Sequence, residues 1–237
     1  MKNLILLFIT FVLVHTSFAQ DSTYSVEDFN IRFDNSHLVV EDINKNIVYD
    51  RVFQNPNGFV LDLDNDGTGE FLVNDYTETD GQNFYTLYVF NTTGTFYLTD
   101  SIYSGLKDPY YFYSDEISNV VLVTGSPDFD SLNQAAAETS FSPLVCWSFV
   151  DSSLSIVNDQ LYDIFLDENE ANISYMDSVC KSKGRTCEAS QEFRAAIAAT
   201  YANYVYADEN ALAEKMLEEY YFCDDLKKFK EQISKLL

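Results

Sequence analysis

The sequence predicts an α+β protein, in which an antiparallel β-repeat domain is followed by a C-terminal segment of three helices. Apolar runs rich in Val, Ile, Tyr and Phe, separated by Asn, Asp and Gly, fill the first two thirds of the chain and are typical of strands and tight turns. From about residue 176, Ala, Glu, Lys and Leu replace the β-branched residues, and apolar residues recur at helical spacing. These two patterns divide the mature chain into a β-rich domain over 20–170 and a helical segment over 171–237.

Residues 1–19 have the pattern of a secretory signal peptide. Lys2 gives a basic start, an apolar run covers 4–14, and Ser17 and Ala19 are the small residues of a cleavage site. We expect cleavage after Ala19 and a secreted or periplasmic mature chain. The apolar run is shorter than the roughly 20 residues that a membrane span needs. No later stretch is longer, so the sequence predicts no transmembrane span in the mature chain.

The first strands are predicted between residues 30 and 53. Runs at 30–33, 38–40 and 47–49 are rich in β-branched and aromatic residues and are separated by turn residues, which favours hairpins. Farther along, two alternating runs at 84–90 and 95–98 flank the turn sequence at 91–94, which contains Gly94. This stretch predicts a further antiparallel hairpin.

An acidic loop lies between these strand regions. Carboxylates alternate at Asp62, Asp64 and Asp66, and Glu70 follows. Calcium takes six to eight hard oxygen ligands at roughly 2.3–2.6 Å, and these four side chains with the carbonyl of Thr68 could supply most of them. Magnesium is less favoured, because it prefers strict octahedral geometry and retains its water. The alternative is an acidic surface turn that holds no ion, since Asp-Asn-Asp-Gly is itself a favourable turn sequence.

The spacing in this loop is not that of an EF-hand. Position twelve, counted from Asp62, is Val73 rather than the Glu that an EF-hand requires, and the flanking runs predict strands. The strand–D-x-D-x-D-G-x-x-[DE]–strand pattern resembles the FG-GAP or VCBS-type repeats of integrin α-chains and of many secreted bacterial proteins. The resemblance covers the loop and its flanks and extends more weakly to about Tyr103. Position nine is Glu70 where those repeats usually have Asp, and their Phe-Gly and Gly-Ala-Pro signatures are absent.

The resemblance implies a propeller-blade-like sheet, Ca2+ as the bound cofactor, and a role in adhesion or in binding another exported protein or a glycan. A second copy of the pattern follows: runs at 119–124, 144–149 and 154–157 match the strands around the acidic loop and the hairpin, roughly 50 to 60 residues earlier. In this copy the loop at 114–118 lacks the alternating carboxylates and the Gly. We therefore expect only the first copy to bind metal, within a partial propeller, a sandwich or an open sheet.

Three helices are predicted in the C-terminal segment, over 190–206, 209–221 and 225–236. Ser190 and Asp224 are suitable N-caps for the first and third of these helices. Apolar residues at helical spacing give each one a buried face. We expect the segment to cover a sheet edge or face, and a module that binds a partner is the alternative.

Four cysteines are present, and an even number in an exported chain favours two disulfides. Three pairings are possible. The preferred one joins Cys180 to Cys187, which closes a short loop, and Cys146 to Cys223, which ties the β-rich domain to the helices. A zinc site is not expected, because the chain has no C-x-x-C spacing and few histidines.

Charge and composition exclude several functions. The chain has 38 acidic and 14 basic residues, a net charge of −24, so nucleic acid and anionic membrane surfaces are not expected partners. His37 is the one histidine after the predicted signal peptide, which leaves little basis for Ser–His or Cys–His catalysis. No P-loop, dinucleotide or G-x-S-x-G motif occurs.

The best interpretation of the sequence is an exported calcium-binding β-repeat protein that acts by binding rather than catalysis, with a mainly structural ion. A secreted carbohydrate-active hydrolase that uses a carboxylate pair is one alternative, although no pair stands out from the acidic background. A purely structural exported protein is the other.

Overall fold

The computed structural model describes residues 22–133, 140–150 and 152–237. Its described residues confirm the predicted α+β class, with three four-stranded antiparallel sheets followed by a helical segment, and they form no closed barrel. The predicted signal peptide and its cleavage site lie outside these residues. None of the helices described here combines the length and apolar composition needed to cross a membrane.

Each sheet is a meander, in which consecutive strands pair in chain order. This explains why the sequence shows a turn signal every few residues. Sheet 1 contains β1 (Ser22–Val26), β2 (Phe29–Asp34), β3 (His37–Asp42) and β4 (Ile47–Val52). Sheet 2 contains β5 (Pro56–Leu61), β6 (Glu70–Thr79), β7 (Gln82–Asn91) and β8 (Tyr97–Gly105). Sheet 3 contains β9 (Tyr110–Ser114), β10 (Asn119–Gly125), β11 (Leu144–Val150) and β12 (Ser153–Ile156).

The sheets stack face to face. Successive residues of a strand point to opposite faces of its sheet, so neighbouring residues pack against different layers. Phe71 and Val73 of β6 pack with sheet 1, whereas Leu72 between them packs with sheet 3. In sheet 3, Leu122 faces sheet 2 and Val121 faces the helices. Sheet 2 is thus covered on both faces, and the apolar cores lie between the layers. Burying one such side chain contributes roughly 1.5–3 kcal/mol.

The four-stranded meander occurs three times among the described residues, whereas the sequence predicted two copies. The two predicted copies correspond to sheets 2 and 3, and both acidic stretches, at 62–69 and 115–118, connect the first strand of a sheet to the second. Sheet 1 is a third meander of the same kind. Its turns are short and contain no D-x-D-x-D-G pattern, so the sequence shows only hairpins there.

The helical segment is longer than predicted and contains five helices rather than three. They are α1 (Tyr162–Lys183), α2 (Cys187–Glu192), α3 (Arg194–Tyr206), α4 (Asn210–Tyr220) and α5 (Leu226–Ile233). The predicted domain boundary at 170 falls inside α1. The predicted helix at 190–206 is divided at Phe193, and Thr186, not Ser190, caps α2 by accepting the Ala189 N–H at 3.2 Å. Asp225 rather than Asp224 precedes α5.

The preferred disulfide pairing was wrong. Cys187 is bonded to Cys223, with their Cα atoms 4.6 Å apart, and Cys146 and Cys180 are free. Cys146 lies on β11 and is fully buried in the core between sheet 3 and α1, whereas Cys223 is only partly buried and packs against a different core, among the helices. Cys180 lies in the last turn of α1. Cys187 is the first residue of α2 and contacts the segment after α4, where Cys223 lies.

Candidate metal site

The acidic loop connects β5 to β6 and is closed by a strand pair. Leu61, the last residue of β5, pairs with Glu70, the first residue of β6. Leu63 is fully buried in the core between sheets 2 and 3, and this anchors the start of the loop. Gly67 has φ of +89°, a conformation that costs glycine little, and Asn65 also takes a left-handed conformation at +59°.

Three of the predicted ligands converge. Asp62, Asp64 and Glu70 each offer a carboxylate oxygen, and these three oxygens all lie within 4.8 Å of one another. An ion with oxygen ligands at about 2.3–2.6 Å places oxygens on opposite sides of it about 5 Å apart. The three oxygens are therefore close enough together to bind one calcium ion. No other group of this kind occurs among residues 22–133, 140–150 and 152–237.

The convergence leaves one buried carboxylate oxygen without a hydrogen-bond donor among the described residues. Oδ2 of Asp62 accepts the Gly67 N–H at 3.0 Å, but its Oδ1 is buried and has no hydrogen-bond donor among the described residues. Glu70 is only 3% exposed, and its Oε2 accepts one bond, from the Leu63 N–H at 2.9 Å. Buried acceptors without partners are costly. A cation in the space between them would satisfy these oxygens together.

The electrostatics of the loop also favour a cation. Burial raises the pKa of Glu70 to about 7; the Leu63 N–H opposes this shift, and the neighbouring charge of Asp64 adds to it. Burial raises the pKa of Asp64 too, and the charges of Asp66 and Asp62 contribute to that shift. Without a cation, the fold thus opposes ionisation of the side chains that calcium would need ionised.

The other two predicted ligands are arranged differently. Asp66 is exposed and lies outside the group of three; its Oδ1 accepts the Thr68 N–H at 2.7 Å. Thr68 is half-buried in the second half of the loop. Asp66 therefore shapes the turn in this structure, and Thr68 keeps a carbonyl that could serve as a further ligand.

Two residues that sequence reasoning missed position the loop. Besides its buried side chain, Leu63 supplies the N–H that orients Glu70. Asn65 donates from Nδ2 to the Ser118 carbonyl at 3.2 Å and to Oδ1 of Asn119 at 3.1 Å, which ties the loop to the corresponding turn of sheet 3. The alternation of Leu63 with the carboxylates was the available sign that one side of the loop is buried.

Comparisons with protein-family models, with curated proteins and with solved structures found no match. The functional interpretation therefore depends on the geometry and chemistry of the chain itself.

Proposed function

We propose that this chain is an exported calcium-binding protein that acts by binding, and that the ion stabilises the loop joining β5 to β6. The observation that carries the proposal is the convergence of Asp62, Asp64 and Glu70, in which Glu70 is buried and Oδ1 of Asp62 is a buried oxygen with no donor among the described residues. Calcium bound there would offset the repulsion among the carboxylates. Because it binds the folded loop, it would stabilise the fold by mass action.

Other features support export and a binding role. A disulfide joins the start of α2 to the segment after α4, and disulfides persist in oxidising compartments outside the cytosol. A net charge of −24 is compatible with calcium-rich surroundings and favours a protein or glycan partner over nucleic acid. FG-GAP and VCBS-type repeats, which the loop resembles, imply the same kind of role, with the partner being another exported protein or a glycan.

The loop is poorly suited to hydrolyse a glycan. Two carboxylates about 5 Å apart can form the catalytic pair of a retaining glycosidase. Oxygens of Asp64 and Glu70 lie within 4.8 Å of each other, and the raised pKa of Glu70 is suited to a general acid. However, Glu70 is almost completely buried under the loop, and its oxygen is held by a backbone N–H. A sugar oxygen could not approach it without unfolding the loop, so this geometry favours a metal site.

The test is unfolding of the mature protein with calcium and with a chelator. Free calcium at 100 times its dissociation constant should raise the free energy of unfolding by about 2.7 kcal/mol. That corresponds to a rise of about 5–10 °C in the melting temperature for a chain of this size. The double variant Asp62→Asn plus Asp64→Asn should lose this response, and magnesium should produce a smaller one.

A matched control is available in sheet 3. Asp115→Asn plus Glu116→Gln removes the same charge from the corresponding turn, which has no converging carboxylates. This variant should respond to calcium as the wild type does. If the wild type does not respond, or if the loop variant responds as strongly as the control, the proposed metal site is wrong.

A further inference from the structure

A cleft lies between β9 and the first turns of α1. It encloses about 610 Å³. Its floor is apolar and includes Phe112 of β9 with Leu161 and Ile164, while Tyr110 and Tyr113 stand at its sides and are 40% and 57% exposed. This combination of an apolar floor and accessible aromatic rings is typical of a binding surface.

The rim of the cleft is strongly acidic. Five carboxylates line it, and one of them, that of Glu168, is paired with Lys107, whose Nζ lies 2.5 Å from its Oε1. The remaining four have no cationic partner within ion-pair distance in the described part of the chain. They are Asp115, Glu116, Asp163 and Asp167, and all four are exposed. The charge of the rim therefore favours a cationic ligand.

One wall of the cleft is an open sheet edge. Among the described strands, β9 is the terminal strand of sheet 3 and pairs only with β10, in a regular register without a bulge. Edge strands are usually protected by charged residues, by an internal Pro or by a bulge. The five residues of β9, Tyr-Tyr-Phe-Tyr-Ser, contain none of these. The edge thus offers a row of backbone donors and acceptors to an added strand.

We propose that this cleft binds an extended basic peptide, which adds as a strand to β9 and places Lys or Arg side chains against Asp163 and Asp167. The proposal rests on the binding role proposed above, to which it gives a surface and a class of partner. A second copy of this chain is a poor occupant, because its charge of −24 would be repelled by the acidic rim. The aliphatic parts of the basic side chains would contact the Tyr rings, and their charged ends would pair with the carboxylates that lack a cationic partner.

The experiment measures the fluorescence anisotropy of a short labelled peptide of alternating lysine and threonine, mixed with the full mature protein in calcium. The wild type should bind it, and binding should weaken as salt is added. Asp163→Asn plus Asp167→Asn should weaken binding about fivefold or more. Asp28→Asn plus Asp80→Asn, which removes the same charge from turns of sheets 1 and 2, should change it less than about twofold.

A second probe tests strand addition. The same peptide with alternate backbone nitrogens methylated keeps its charge but cannot form a complete strand ladder, so it should bind much more weakly. Equal binding of both peptides, equal loss in both charge variants, or no binding by the wild type would overturn the proposal. Calcium unfolding curves on the same samples separate the two proposals: a calcium response without peptide binding rejects the cleft alone, and peptide binding without a calcium response rejects the metal site alone.

Discussion

Removal of the disulfide between Cys187 and Cys223 should destabilise the protein by an amount that the structure allows us to calculate. The two cysteines are 36 residues apart, and the bond joins the start of α2 to the segment after α4. The chain-entropy relation for a loop of this length gives about 4 kcal/mol at 25 °C. The expected change is a fall in melting temperature of about 8–16 °C.

Most of this effect should come from the unfolded state. Ser190 of α2 accepts the Phe222 N–H at 2.8 Å and donates to the Tyr220 carbonyl at 2.9 Å, so the contact that the disulfide reinforces has its own buried hydrogen bonds. The double variant Cys187→Ser plus Cys223→Ser should therefore keep the native far-ultraviolet circular dichroism at low temperature. Its urea midpoint should fall without a large change in the native baseline.

The assay compares urea unfolding of this variant with that of Cys180→Ser and of the wild type. Cys180 is the partner that its sequence spacing favoured for Cys187, but it is free in the structure. Its replacement should change the free energy of unfolding by less than about 1 kcal/mol. A Cys180→Ser variant as unstable as the double variant, or a peptide map that finds Cys180 joined to Cys187, would refute the reasoning.

Three further perturbations test the packing. Burial raises the pKa of Asp130 to about 6, so ionisation of this carboxyl is disfavoured in the folded state. The free energy of unfolding should therefore fall as pH rises from about 4 to 7. In Asp130→Asn this fall, measured by urea unfolding, should be smaller by about 1–2 kcal/mol. Asn203→Leu should cost about 2–4 kcal/mol in the same assay, because it leaves the buried Leu144 N–H without its acceptor. Gly58→Ala should lower the melting temperature, since a Cβ there would lie 2.7 Å from the Phe33 ring, at a cost of about 1–3 kcal/mol.

Most of the strands could be predicted from the sequence because their signals are local, but β1 and β9 were not predicted. In β2, buried Phe29, Ile31 and Phe33 alternate with exposed polar residues, and the pattern alone assigns the buried face. Continuous apolar runs such as that of β10 indicate burial on both faces, which the stacked layers explain. What the sequence could not supply is the order of the layers, since contacts between sheets join residues far apart in the chain.

Helix α1 was missed because part of its buried stripe is polar. Asn169 and Asn172 lie in that stripe together with apolar residues, and they interrupt the hydrophobic period on which helix prediction depends. The structure shows why an amide is acceptable there. Asn169 donates to the Thr200 carbonyl at 3.2 Å and accepts from Nδ2 of Asn203 at 3.1 Å, so α1 and α3 are joined by buried hydrogen bonds. Such partners are known only once the fold is known.

Only part of the candidate metal site could be predicted from the sequence. The spacing of the carboxylates identified the loop, but it could not distinguish Asp62, Asp64 and Glu70, which converge, from Asp66, which turns outward. That distinction depends on Leu63, whose burial between two sheets fixes which side of the loop faces inward. Asp62 and Asp64, on either side of Leu63, lie on the other side of the chain. The alternation ends at Asp66, because Asn65 and Gly67 on either side of it have left-handed conformations.

The position of the loop gives the proposed ion a consequence beyond its own ligands. Leu63 orients Glu70 and fills the core between sheets 2 and 3, and Asn65 holds the β9–β10 turn through the Ser118 carbonyl. A cation that fixes the loop would therefore also fix the junction between the two sheets. The turn held by Asn65 includes Asp115 and Glu116, which belong to the rim of the acidic cleft. Calcium and a basic peptide bound at their separate sites would then favour the same arrangement of sheet 3, so each should increase the affinity for the other by the same factor.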